Sequence, residues 1–163
     1  MKKGSPAVGI VIGAIFVVML LFFAYTIYCV IYKASRGSDF AYLGDYTTFI
    51  NVEDNLSPDY SRNDLIIARK ETYYSTSEVV IYRYNSSYRL GRVVMTSTSK
   101  YYVGDSMNAK GDELSEITYP EIVGAAHKNL KGLGGIFKIM SSVGVMVIVA
   151  IMFFAYMMFA KEK

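Results

Sequence analysis

The 163 residues include a single cysteine, Cys29, and a single histidine, His127. The cysteine lies inside an apolar run, so any part of the chain facing an oxidising compartment has no disulfide to rely on. One histidine, with no Cys-x-x-Cys pair, excludes the zinc-type constellations that need several nitrogen or thiolate ligands close together. No cofactor is expected. Excess charge of one sign is also small. The formal excess is +3, and the lysines and arginines are scattered without a basic stripe beside aromatic residues. Nucleic acid is therefore not an expected partner.

Apolar sequence is what the chain has in quantity. Residues 7–32 and 139–160 carry no charge, and each run reaches the ~20 positions a helix needs to cross a bilayer. Tyr25, Tyr28 and Tyr32 sit toward the end of the first run, and amphipathic tyrosines favour the headgroup level. That run is too long for a cleavable signal peptide, and no small-x-small site follows cleanly before Lys33, so it reads as an anchor. The expected layout is a short cytoplasmic tail at 1–6, a transmembrane helix at 7–32 and an extracytoplasmic β domain at 33–135. A second transmembrane helix at 136–160 and a cytoplasmic tail at 161–163 complete it. Lys2, Lys3, Lys161 and Lys163 favour both termini inside, while Lys33, Arg36, Lys128, Lys131 and Lys138 on the other flank reduce the asymmetry. Small residues in the runs, Gly9, Gly13 and Ala14 in the first and Ser141, Ser142 and Gly144 in the second, permit close helix contacts.

The segment between the runs reads as β. Strand-like stretches fall at 46–52, 65–68, 78–84, 88–95, 99–103 and 121–126. They are separated by turn signals at Ser57-Pro58-Asp59, Asn85-Ser86-Ser87, Val103-Gly104-Asp105 and Lys110-Gly111-Asp112. Asn85-Ser86-Ser87 between two alternating runs predicts a hairpin. Short strands at close spacing predict a small antiparallel β barrel or sandwich, membrane-anchored and mainly β. The many tyrosines fit that class through their β propensity.

Four segments, in order, resemble signal peptidase I in its short two-span form. Asn55-Leu56-Ser57-Pro58 running into Asp64-Leu65-Ile66-Ile67 is similar to the family's nucleophile box, S-M-x-P followed by G-D-x-V-x-V. Residues 74–82, ending Glu78-Val79-Val80-Ile81-Tyr82, resemble its V-G-D-I-V-V-Y strand. Arg89-Leu90-Gly91-Arg92-Val93-Val94 is similar to x-V-H-R-V-V. Asn108-Ala109-Lys110-Gly111-Asp112 resembles T-K-G-D-N-N. The resemblance implies a signal peptidase-type β domain that takes an extended peptide in a groove beside the membrane during protein secretion.

It also implies where the chemistry is missing. The family's serine, whose proton is taken by a histidine or lysine base, corresponds to Asn55, and the base corresponds to Gly91. An amide is not a hydroxyl nucleophile, and glycine has no side chain to accept a proton. Asp112 alone matches, and an acid without the base it orients does no catalysis. Ser57 shares a strand face with Asn55 by its i+2 spacing and is the rescue candidate, with a Ser-Pro turn starter as its other reading. Lys70 is a relocated base in that case, or a solvated strand-end lysine.

The expected function is thus that of a catalytically inactive, signal peptidase-like membrane protein. It would bind an extended peptide, or a partner membrane or secreted protein, through Asn55, Leu56, Ser57 and Pro58 by strand addition. Two alternatives stand beside it: an active signal peptidase using Ser57 with an unidentified base, and a structural subunit of a membrane complex that interacts through its spans. Asn55-Leu56-Ser57 and Asn85-Ser86-Ser87 also match a glycosylation acceptor.

Overall fold

A computed structural model describes residues 6–160. The expected tails, with Lys2, Lys3, Lys161 and Lys163, lie outside them. The chain divides into two compact units, residues 39–137 and the flanking apolar segments. Among the latter, α1 runs Pro6–Arg36 and closes on Lys33 and Arg36 in its last turn, where cations complement the negative end of the helix dipole. Its stretch Gly13–Arg36 is long and apolar enough, by length and composition, to cross a membrane.

A single helix was expected over 136–160, but the chain forms two. Helix α2 spans Leu133–Met140 and α3 spans Val143–Ala160. The interruption falls at Ser141-Ser142. The Ser141 hydroxyl donates to the Lys138 carbonyl at 3.2 Å, and the Ser142 hydroxyl accepts from the Val145 N–H at 3.4 Å. Serine hydroxyls that compete for backbone partners in this way end one helix and cap the next. The two serines therefore mark a break between the helices. Met19, Phe22 and Phe23 of α1 line one small apolar hollow with Val145 and Val149 of α3.

The middle unit is mainly β, as expected. Strands β1 (Tyr46–Ile50), β2 (Leu65–Arg69), β3 (Val79–Tyr84), β4 (Ser87–Ser97), β5 (Lys100–Gly104), β6 (Ser115–Thr118) and β7 (Ile122–Leu130) form one antiparallel sheet. Their order is β1-β2-β7-β3-β4-β5-β6, and the sheet curls into a half-barrel. It is neither a closed barrel nor a two-sheet sandwich, because β1 and β6 remain at opposite edges. The predicted hairpin forms with Tyr84 opposite Ser87, and Asn85 adopts a φ of 54° at its tip.

Alternation along β3 explains how one sheet supplies two cores. Val80 and Tyr82 pack with Tyr74, Val93, Tyr101, Val103 and Ile117. Val79 and Ile81 pack with Leu56, Ile66, Ala68, Leu90 and Val123. Successive side chains of a strand point to opposite faces, so β3 is covered on both. Tyr74 is fully buried, and the cost of ionising it there pushes its hydroxyl up to about 12.

Candidate functional site

The segment between β1 and β2 carries the motif at 55–58, and its shape is set from below by two buried polar residues. Asn51, 1% exposed, donates through Nδ2 to the carbonyls of Glu53 (2.7 Å) and Ser61 (3.1 Å). Asp64, 2% exposed, accepts from the Ser61 N–H at 2.9 Å, from Asn129 Nδ2 at 2.9 Å and from the Gly132 N–H at 2.8 Å. Burial alone would push the Asp64 carboxyl up. The bonds from Ser61, Asn129 and Gly132, with the nearby Lys131 charge, outweigh that and hold it below its ordinary value. One carboxylate thus joins the 52–63 segment to the end of β7 and the entry to α2. Leu56 fixes the middle of the segment by entering the core at 6% exposure, and its carbonyl accepts from the Tyr60 N–H at 3.0 Å.

Asn55 is then delivered onto β4. Its Nδ2 donates to the Leu90 carbonyl at 2.9 Å and to Asp105 Oδ1 at 2.8 Å. The pairing of β5 with β4 ends at Gly104 opposite Arg92, so the amide fastens the stretch of β4 that β5 no longer reaches. Beside it, Arg89 Nε and Glu53 Oε2 form a half-buried ion pair at 2.7 Å. Both amide hydrogens of Asn55 are used, and its Oδ1 is shielded without a partner. Asn55→Ala should lower stability by about 1–2 kcal/mol, the worth of the lost bonds net of that orphaned oxygen. Thermal unfolding of the full chain in detergent measures it.

The position next to this contact is closed. A Cβ built on Gly91 would collide with Val103 Cγ1 and lie 2.9 Å from Tyr82 Cε1, both groups of the sheet core. The expected constellation is therefore assembled in part. Asn55 meets the Leu90-Gly91 stretch, whereas Asp112 is exposed in the 3₁₀ turn Gly111–Glu113. No hydrogen bond among the described residues joins Asp112 to Asn55. The acid at Asn55 is Asp105, which the sequence marks only as part of the turn after β5. Its signal was present as the Gly-Asp pair ending a strand, but its partner lies 50 positions away.

No family model and no curated protein matches this chain. Its functional reading therefore rests on its own residues. Among the four proposed to hold a peptide, Leu56 is buried and Asn55 is engaged, so Ser57 and Pro58 are the ones presented to solvent. Lys131 Nζ donates to the Pro58 carbonyl at 3.2 Å. Lys70 is placed elsewhere, its ammonium 5.8 Å from the Tyr42 ring centre. His127 is exposed on the surface against Tyr46. Of the two acceptor motifs, Asn85 is exposed, whereas the Asn55 amide is already bonded. Among the described residues, no three His, Cys, Asp or Glu side chains are grouped to hold a metal ion.

Next to Ser57-Pro58 opens a polar cleft of about 380 Å³, lined by Asp59, Tyr60, Ser77, Val79, Arg92, Asn129 and Lys131. Arg92 donates to the Ser77 carbonyl at 3.1 Å and pairs with Asp59 at 3.4 Å. The Asn129 amide donates to the Asp59 carbonyl at 2.7 Å, leaving its own Oδ1 shielded and without a partner. Burial raises the Tyr60 hydroxyl, with Arg92 opposing and Asp59 reinforcing the shift. The cleft offers donors and acceptors from four separate segments, suited to a polar segment rather than an apolar one.

Proposed function

We propose that this chain is a membrane-anchored protein of signal peptidase type that holds an extended segment of a partner without cutting it. Helices α1 and α3 serve as two spans, both termini lie on the cytoplasmic side, and the β domain lies outside. The observation that carries the absence of catalysis is the Asn55 amide. It occupies the position corresponding to the nucleophile with both its hydrogens bonded, against a neighbouring glycine that the core leaves no room to enlarge. Binding falls to the exposed Ser57-Pro58 turn and the polar cleft beside it, where backbone pairing and side-chain donors need no nucleophile.

The enzyme alternative is favoured by one contact, the approach of Lys131 Nζ to the Pro58 carbonyl next to Ser57. A Ser57–Lys131 pair would then supply nucleophile and base. Incubating the detergent-purified protein with a signal-peptide-bearing substrate separates the two. No cleavage is expected from the wild type. Cleavage that vanishes in both Ser57→Ala and Lys131→Met would establish a serine–lysine peptidase instead. For binding, a photoreactive side chain at Asp59 should capture a partner in cells. Failure at Asp59 with capture from within α1 would favour a subunit that acts through its spans.

A further inference from the structure

Helix α2 leaves an apolar face uncovered. Leu133, Ile136 and Ile139, spaced three apart, are 43%, 56% and 66% exposed, and that spacing places them along one side of a helix. The other side is committed to the β domain. The Gly134 N–H donates to the Asn63 carbonyl at 2.8 Å, and a Cβ there would lie 2.7 Å from that oxygen and 2.8 Å from Ile50 Cγ2. Only glycine allows the helix to sit this close. Lys138 is exposed on α2 and Lys131 precedes it.

The chain continuation identifies what covers the face. Met140 and Val143 are three residue steps apart, so α2 ends within ~11 Å of the start of α3, a helix with no charged residue. An apolar face with an exposed lysine, Lys138, on the other side of the helix, joined that closely to a span, matches the headgroup–acyl boundary, where amphipathic helices lie flat. We infer that α2 is an interfacial helix lying on the lipid bilayer, which holds the β domain against the membrane surface through Gly134. This rests on α3 being a span, and it adds a second, flat attachment to the membrane.

The sequence contains no tryptophan, so single tryptophans can report the depth of each position. Full-length Ile136→Trp, Ile139→Trp, Ile148→Trp and Asn85→Trp chains are reconstituted into phosphatidylcholine–phosphatidylglycerol vesicles. Quenching is then measured with aqueous acrylamide and with lipids brominated at shallow or deep acyl positions. Ile136→Trp and Ile139→Trp should be severalfold less sensitive to acrylamide than Asn85→Trp, and quenched more by shallow than by deep bromines. Ile148→Trp should respond to the deep ones. Acrylamide quenching of both α2 positions equal to that of Asn85→Trp, with Ile148→Trp still lipid-quenched, would overturn the inference alone. So would shielding of α2 from acrylamide without lipid quenching, since another protein would then cover it. An Ile148→Trp reached by acrylamide and by no brominated lipid would remove the membrane reading and this inference together.

Discussion

Gly91→His, the substitution that would place a base beside Arg92 where the proposed resemblance calls for one, is expected to unfold the β domain rather than create a peptidase. The first atom of any side chain at 91 runs into Val103, which is fully buried, and comes within 2.9 Å of the Tyr82 ring. Val103 is β-branched and has few alternative rotamers to retreat into. Forcing extra atoms into a filled core costs about 1–3 kcal/mol for a methylene or two and more for a ring. An imidazole should therefore cost upward of ~3 kcal/mol, or a fall in Tm of ~12 °C or more for a domain of this size. Circular dichroism melts of the full chain in detergent measure it, with Gly91→Ala as the smaller step in the same direction. The double variant Asn55→Ser/Gly91→His should cleave nothing. A stably folded, active double variant would show that the core opens readily at this point, and that these two substitutions suffice for catalysis.

Asp64→Asn should be nearly as damaging for the opposite reason, since it removes a charge on which buried donors converge. The Ser61 and Gly132 N–H groups and the Asn129 amide all end on this carboxylate. A neutral amide supplies one acceptor oxygen and turns an NH₂ toward groups that themselves donate. The loss is expected at about 3–5 kcal/mol, from weakened charge-assisted bonds and stranded donors. Its pH signature is specific. The native carboxyl lies below the ordinary 3.8, so its contribution is complete above the unfolded value and is lost as pH falls through the depressed native one. Stability of the wild type measured between ~pH 5 and ~pH 2 should decline more steeply than that of Asp64→Asn, because the variant has already lost this linkage.

Much of the sheet was legible because half-buried strands advertise themselves by alternation. Each of the six stretches read as strands overlaps one found in the sheet, and the hairpin at Asn85 forms where turn chemistry placed it. Strand β6 escaped because Ser115-Glu116-Ile117-Thr118 has one core residue, Ile117, and carries a glutamate whose partner is Lys100 on β5. The open half-barrel could not be read, since closure depends on which strands end at the edges. The site was legible as a segment but not as contacts. Leu56 reads equally well as a groove residue or a core residue until Ile66 and Ile81 are seen around it. Asn55, Asp105 and Asp64 acquire their roles from partners many residues distant. Nothing local distinguished the acid that meets Asn55 from Asp112, which matched a motif and remains exposed.

The place of β7 in the sheet has a consequence for how the protein is made. It is the last strand in the chain, yet it lies between β2 and β3 and pairs with both. Until residues 122–130 have left the ribosome, the first two strands and the next four are separate pieces with no shared ladder, each exposing a long unpaired edge. Closing the sheet must therefore wait until synthesis has nearly reached α3, and long-range pairing of this kind is slow and open to misassociation. A nascent chain of this protein would need shelter for almost the whole length of its β domain, and a chain interrupted before Ile122 would leave two half-sheets with nothing to join them.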